Sequence, residues 1–463
     1  MRVQADVVVV GGGNAGLVAA ITALESGHSV LLVEKASRDD RGGNSKYTRD
    51  FRFAHGPGVL GIEDEYSESE FLDDLIRVTR GQTNVDLAKM VVGNSLGVVR
   101  WAEAHGVRWQ RPLPSTLHLG RTNAFVLGGG KALVNRYYRI VEGHPRATVM
   151  YGSEVVDVEL AGRSFRSIVV RRGGEEMRVS GERLVLSSGG FESNLDVLRE
   201  YWGEAADHII VRGTHNDTGL PLLSMVKAGA GAVGRGDDGH MVAVDARSPR
   251  FNGGIVTRVD SVPFGIVLNS AGLRFYDEGE DLWPKRYAIW GKLVARQPGH
   301  VAFSIFDSES LGRFIPPFMP PVRAESLEDL VDELSHHGLL DPGRALETVR
   351  EYNAACRADA RPDYSRLDGL STVGLEIPKS NWAKPLRSPP FYAYVLRPGL
   401  TFTYMSLRVG RDARVLDSSG RPFDNVYAAG EIMAGNVLTN GYLGGLGLVI
   451  GTVFGILAGG GEL

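Results

Sequence analysis

Apolar and polar positions divide the chain into strand–glycine–helix units. A strand-like run, Ala5 to Val10, apolar apart from Asp6, enters Gly11-Gly12-Gly13-Asn14-Ala15-Gly16, where helical spacing begins. A second apolar strand, Val30 to Val33, stops at Glu34. Residues 84–104 carry an amphipathic helical pattern, and Gly128 to Lys131 opens a helix over Ala132 to Val141. Alternation over Glu154 to Leu160 and Ser167 to Arg171 predicts hairpin strands, with a turn at Gly173-Gly174. Arg183 to Ser188 is a buried strand running into Gly189-Gly190, and Asn425 to Ala429 another running into Gly430-Glu431. A glycine-punctuated helix over Gly441 to Ala458 closes the pattern.

Between about Asp238 and Leu400 the strand–glycine style gives way to a stretch richer in Pro, Trp, Tyr and Arg, which reads as an inserted α+β lobe. The 463 residues suffice for such a bilobal molecule, and 43% hydrophobic content argues that the 60 glycines serve turns and close approaches, not disorder. A net charge of −4 without a basic run gives no footing for nucleic acid. The single cysteine, Cys356, excludes an intrachain disulfide and a self-contained iron–sulfur cluster. No run is long and apolar enough for the ~20 residues of a bilayer span, so an integral membrane protein is not expected, and the location expected is cytoplasmic.

The opening unit is a G-x-G-x-x-G turn in full βαβ context, with an acid 18 residues after Gly16. Gly11 permits the tight turn, Gly13 lets backbone approach a pyrophosphate, and Gly16 lets helix pack on strand. The helix start, with Asn14 and Ala15, offers N–H groups and a positive dipole to the phosphates. Glu34, followed by Lys35, is placed to accept ribose hydroxyls. A nicotinamide enzyme needs only this fingerprint. Here further glycine sites lie at Gly42-Gly43-Asn44-Ser45, Ser188-Gly189-Gly190, Gly430-Glu431 and the closing segment with Gly445-Leu446, which suits a long FAD. No metal site is predicted.

These residues resemble the FAD-dependent fumarate reductase/succinate dehydrogenase flavoprotein superfamily over essentially the whole chain. Within it the tricarballylate dehydrogenase branch is the most similar, through Arg49 to Arg52, Phe251 to Arg258, Arg274 to Asp281, Trp283 to Gly291 and Gly430 to Asn436. The resemblance implies an α/β fold, a Rossmann-like FAD-binding domain (1–239 and 401–463) interrupted by an α+β capping domain (240–400). It also implies desaturation of a small polycarboxylic acid, with hydride passing to flavin N5, coupled proton transfer, and a separate electron acceptor or redox partner. It places the proton-carrying arginine at Arg286. Ser45 to Thr48 lacks the histidine by which some members attach FAD, so the cofactor is expected to be non-covalent.

The pattern departs from fumarate reductases in three places. Tyr442 stands where they carry a carboxylate-clamping arginine, Thr401 to Tyr404 lacks their histidine, and Thr257-Arg258 replaces their Thr-Glu pair. Arg49, Arg52, Arg121, Arg247 and Arg258 are therefore candidate clamps, with His240 in a plausible cleft segment. Tyr442 also supports an alternative, a ketone desaturase of the 3-ketosteroid dehydrogenase type, in which a tyrosine there polarises the ketone. A flavin relay subunit without its own substrate is a further alternative.

Overall fold

The structure is a computed structural model that describes residues 3–111 and 119–463. Its main sheet has eight strands, and five of them run parallel: Pro422–Ala428, Glu175–Leu186, Val3–Val10, Val30–Val33 and Ala147–Met150, in that spatial order. Val7 to Val10 and Val30 to Val33 are buried on both faces, as their unbroken apolar runs require. Strands Glu154–Ala161 and Ser164–Arg172 extend the Glu175–Leu186 strand as an antiparallel meander. The Arg183 to Leu186 run is thus the buried end of a 12-residue strand whose first half lies in that meander.

Two helices pack face to face on this sheet, Asn14–Glu25 and Leu446–Gly459. A Cβ on Gly455 would lie 2.8 Å from the Ala15 carbonyl and 3.0 Å from Val18, so glycine there sets the helix separation. The closing helix starts at Leu446, five residues later than its apolar pattern suggests, because Asn440 and Gly445 hold left-handed conformations (φ 60° and 86°). The 84–104 pattern is two helices, Val85–Gly93 and Ser95–Ala104, meeting at Asn94. There the Asn94 side chain donates to the Met90 carbonyl, and Gly93 adds a weak helix former.

A second, six-stranded sheet is built on Phe391–Thr403, which pairs with Gly239–Asp245, Ala302–Asp307, Ile210–Val211 and Val322–Ala324; Ile266–Asn269 adds to Ala302–Asp307. Helices Leu327–Ser335 and Pro342–Ala355 cover it with a separate core around Phe303, Leu330, Leu334 and Tyr352. The long strand Phe391–Thr403 ends against the segments that leave two main-sheet strands: Thr403 donates to Glu431 through its N and Oγ1 and accepts from Phe191 N. Among the described residues no helix is long and apolar enough to cross a membrane.

Candidate functional site

The carboxyl ends of four parallel strands, at Val10, Val33, Leu186 and Ala428, open onto one cavity. It spans about 1580 Å³ when the open solvent at its mouth is included. It runs from Glu34 at one end to a group of arginines at the other.

At the first end Gly11 turns with φ 96°, and a Cβ on Gly16 would sit 1.9 Å from the Gly11 carbonyl, so both positions demand glycine. Glu34 is buried, its Oε2 accepting from Gly12 N and its Oε1 from Ala36 N, each at 2.7 Å. Burial raises its pKa against those two bonds. Lys35 donates to Asn216 O and Thr218 Oγ1 and pairs with Glu154. Ser45 Oγ accepts from Asn14 N at 2.9 Å, which ties the Gly42 to Ser45 loop to the helix start. Asn44 donates to Glu192 Oε1 and Thr401 O and accepts from Thr214 N.

Midway, Glu192, Asp217 and Glu431 bring carboxylate oxygens within 4.8 Å of one another. Glu431 accepts from Thr403 N and Oγ1, while buried Glu192 Oε2 has, among the described residues, no hydrogen-bond partner besides the neighbouring carboxyl groups. Burial first, then like-charged neighbours, pushes all three toward the protonated form.

At the far end Arg49, Arg212 and Arg258 line the cavity with His240, Tyr287, Phe402 and Tyr442. Arg258 is held by a two-pronged pair with Asp260, 2.7 Å on each arm, and lies 4.7 Å over the Tyr287 ring. Arg49 lies 3.7 Å from Asp50. Arg212 is buried, donating to Gly254 O and Thr401 Oγ1, with no carboxylate paired to it among the described residues. Burial and the neighbouring Arg258 lower its pKa to about 10. His240 stacks on Tyr442 at 4.1 Å and 10°, and its buried Nε2 has no hydrogen-bond partner among the described residues. Burial and then Arg212 and Arg258 keep its imidazole neutral, well below its ordinary pKa. Tyr442 Oη accepts from Gly447 N in the first turn of the closing helix. The Tyr287 hydroxyl has no hydrogen-bond partner among the described residues, and burial raises its pKa to about 12.

The sequence-predicted residues divide into two groups. Gly11, Gly13, Asn14, Ala15, Glu34, Lys35, Gly43, Asn44, Ser45, Ser188, Gly189, Gly430, Glu431, Gly445, His240, Arg258 and Tyr442 line the cavity. Gly16, Gly42, Gly190 and Leu446 do not line it, although each adjoins a lining residue in sequence. Thr257 turns back to Gly254 O. Arg52 is fully buried and donates to Gly444 O and Tyr66 Oη, so it braces the closing loop. Arg121 pairs with Glu70, and Arg247 with Asp245. Arg286 pairs with Glu280 and donates to Tyr276 Oη; the next residue, Tyr287, takes the place in the cavity wall that the sequence assigned to Arg286.

A family model described as an FAD binding domain matches residues 6–448. The chain belongs to this FAD binding domain family. Its relatives include the NADH:fumarate oxidoreductase of Klebsiella pneumoniae (strain 342), 25% identical over 98% of this chain and 47% of that protein. The urocanate reductase of Eggerthella lenta is 23% identical over 99% of this chain and 74% of that protein. The NADH:acrylate oxidoreductase of Vibrio harveyi is 24% identical, over 98% and 50%. The chain spans about half the length of the first and the last of these. In fold it matches an open flavocytochrome c3 fumarate reductase (TM-score 0.74, 21% identity, 99% of this chain, 78% of that one). It matches equally the 3-ketosteroid Δ1-dehydrogenase of Sterolibacterium denitrificans (TM-score 0.74, 20% identity, 98% of both chains).

The residues present fit the family's cofactor, FAD. Gly13 leaves its backbone face open where a phosphate must approach: the nearest atom to the place a Cβ would occupy is Ser45 Oγ, at 3.4 Å. Ser188 Oγ and Asn14 Oδ1, on residues lining the same cavity, are buried polar atoms with no hydrogen-bond partner among the described residues. Each Glu34 oxygen keeps lone-pair capacity beyond its one backbone bond for a ribose hydroxyl. The N-terminus of the 14-residue closing helix, at Gly445 and Gly447, meets the cavity's middle. Sequence reasoning overlooked Arg212, Tyr287, Asp217 and Glu192. Arg212 follows a two-residue strand and belongs to no motif; only the burial of a cation without an acid reveals it.

Proposed function

We propose that the chain is an FAD-dependent oxidoreductase that exchanges a hydride with one carbon of a C–C bond beside a carboxylate, with a proton exchanged at the neighbouring carbon. The observation that carries this reading is the continuity of one cavity from a dinucleotide fingerprint to three arginines. FAD, when bound, supplies the two-electron chemistry. Arg258, fixed by Asp260, and Arg212 hold the carboxylate, and their charge favours negative charge developing on it in the transition state. Tyr287 Oη holds the proton, with the Arg258 guanidinium over its ring favouring the phenolate that remains after transfer. Tyr442, anchored by Gly447 N, and neutral His240 orient the substrate plane. Residues 240–400 serve as the cap that excludes water, and a separate protein or segment exchanges electrons with the flavin.

The names of the relatives, acting on fumarate, acrylate and urocanate, support unsaturated small acids as the class. A tricarballylate-like polycarboxylate is the narrower reading that the sequence suggests, but Asp260 and Asp50 already meet two of the three guanidiniums, so the site offers less free positive charge than such a substrate carries negative charge. The test is product analysis: reduced holoprotein incubated anaerobically with α,β-unsaturated acids should yield acids heavier by two hydrogens. A panel left wholly unreduced, with the flavin still reduced, would defeat the reading.

A further inference from the structure

The charges at the arginine end do not balance, and the imbalance specifies a ligand. Arg258 is matched by Asp260 and Arg49 by Asp50, so three guanidiniums meet two carboxylates and one positive charge is left. The unmatched cation is Arg212, which is 6% exposed. Its Nε and Nη1 are spent on Gly254 O and Thr401 Oγ1, and its Nη2 has no hydrogen-bond partner among the described residues. The neighbouring groups do not close the gap. Lys292 is taken by Asp238. Glu192, Asp217 and Glu431 pair with no guanidinium among the described residues, and their environment favours the protonated form. Residues 1–2 and 112–118 contain no Asp or Glu. A buried cation costs several kcal/mol unless an anion meets it, so the arginine end of the cavity is built to receive one negative charge, and a second would be buried there without a partner.

The walls specify the remainder of the ligand. His240 and Tyr442 lie parallel, Tyr287 stands edge-on to His240 at 5.3 Å, and Phe402 lies 6.1 Å from Tyr442. All four line the cavity. Such ring faces and edges suit a flat, conjugated body.

We propose that Arg212 is the specificity-determining residue of this site and that it selects a planar unsaturated acid bearing a single carboxylate, of the aryl-acrylate class, over di- and tricarboxylates. This rests on the proposed function above and narrows its substrate. Arg258, already satisfied by Asp260, then orients the carboxylate, and Arg212 neutralises it.

The experiment is a titration of oxidised holoprotein with trans-cinnamate, fumarate and cis-aconitate at pH 8, following the flavin absorbance. The expected order has cinnamate binding at least about tenfold tighter than either polyanion. Arg212→Gln should weaken cinnamate by roughly ten- to a hundredfold, the loss of a charge-assisted contact, and Arg212→Lys should recover only part. Asp260→Asn, which frees a second guanidinium, should improve fumarate relative to cinnamate. Tighter binding of fumarate or cis-aconitate by the wild type overturns the single-carboxylate inference while leaving the reaction class intact. An Arg212→Gln holoprotein with wild-type cinnamate affinity also overturns it, as does an Arg212→Gln protein that no longer holds FAD, which would assign Arg212 to the cofactor. If none of the acids perturbs the flavin, the proposed function and this inference fall together.

Discussion

Replacing Glu34 with alanine tests the dinucleotide end at two levels. The carboxylate accepts Gly12 N and Ala36 N, both at 2.7 Å, in a position 5% exposed. Alanine leaves both N–H groups buried without acceptors, at about 1–3 kcal/mol each, or about 2–6 kcal/mol together. Relief of the desolvated charge, visible in the raised Glu34 pKa, offsets part of this, so the lower end of the range is expected for the apoprotein. FAD affinity falls further, because the ribose loses a charged acceptor worth about 1.5–3 kcal/mol, roughly ten- to a hundredfold in Kd. Apoprotein stability is read from the denaturant midpoint, and affinity from the quenching of free flavin fluorescence. Glu34→Gln keeps one acceptor oxygen and should fall between wild type and alanine in both. An alanine variant with wild-type midpoint and wild-type FAD affinity would refute the assignment.

Three further outcomes follow from the same geometry. Tyr287→Phe should slow single-turnover reoxidation of the reduced flavin by substrate by roughly 10²–10⁴, the usual worth of a general acid, whereas Arg286→Ala should leave that step within a few-fold of wild type; stopped-flow absorbance distinguishes them, and the opposite ranking would restore the proton to Arg286. Asp217, Glu431 and Glu192 keep protons in the fold above the ordinary carboxylate range, so the native state binds more protons than the unfolded one as pH rises from ~4. Their contribution is full below that range and is lost as pH climbs through the raised values, so apoprotein stability should decline with pH there, and Glu192→Gln should flatten the decline; denaturation midpoints across pH check it. Gly455→Leu places a side chain 2.8 Å from the Ala15 carbonyl and should cost the ~1–3 kcal/mol of overpacking, with FAD affinity reduced because Ala15 lines the cavity.

The dinucleotide end was legible because its chemistry is local. Gly11 to Gly16 and Glu34 are close in sequence, and each glycine answers to one steric demand, such as the 1.9 Å approach behind Gly16. The α/β class was legible for a related reason: buried parallel strands leave unbroken apolar runs. The arginine end was only half legible, since convergence there depends on pairings distant along the chain. Arg52, Arg121 and Arg286 look like Arg258 in sequence, yet Tyr66, Glu70 and Glu280 draw them away from the cavity. Tyr287 enters the wall because the short helix Trp283–Arg286 ends just before it, a displacement of one residue that no motif marks. The Asn94 break was missed because the apolar period continues across it.

The most direct test of the central claim is a single-turnover measurement. Holoprotein reduced anaerobically with dithionite and freed of excess reductant is mixed with an α,β-unsaturated monocarboxylic acid, and the oxidised flavin absorbance is followed. The account predicts stoichiometric return of the oxidised spectrum, saturable in the acid, with the saturated acid recovered as product. A flavin that stays reduced with every such acid, yet reoxidises with a neutral cyclic enone, would contradict it and move the site to ketone chemistry.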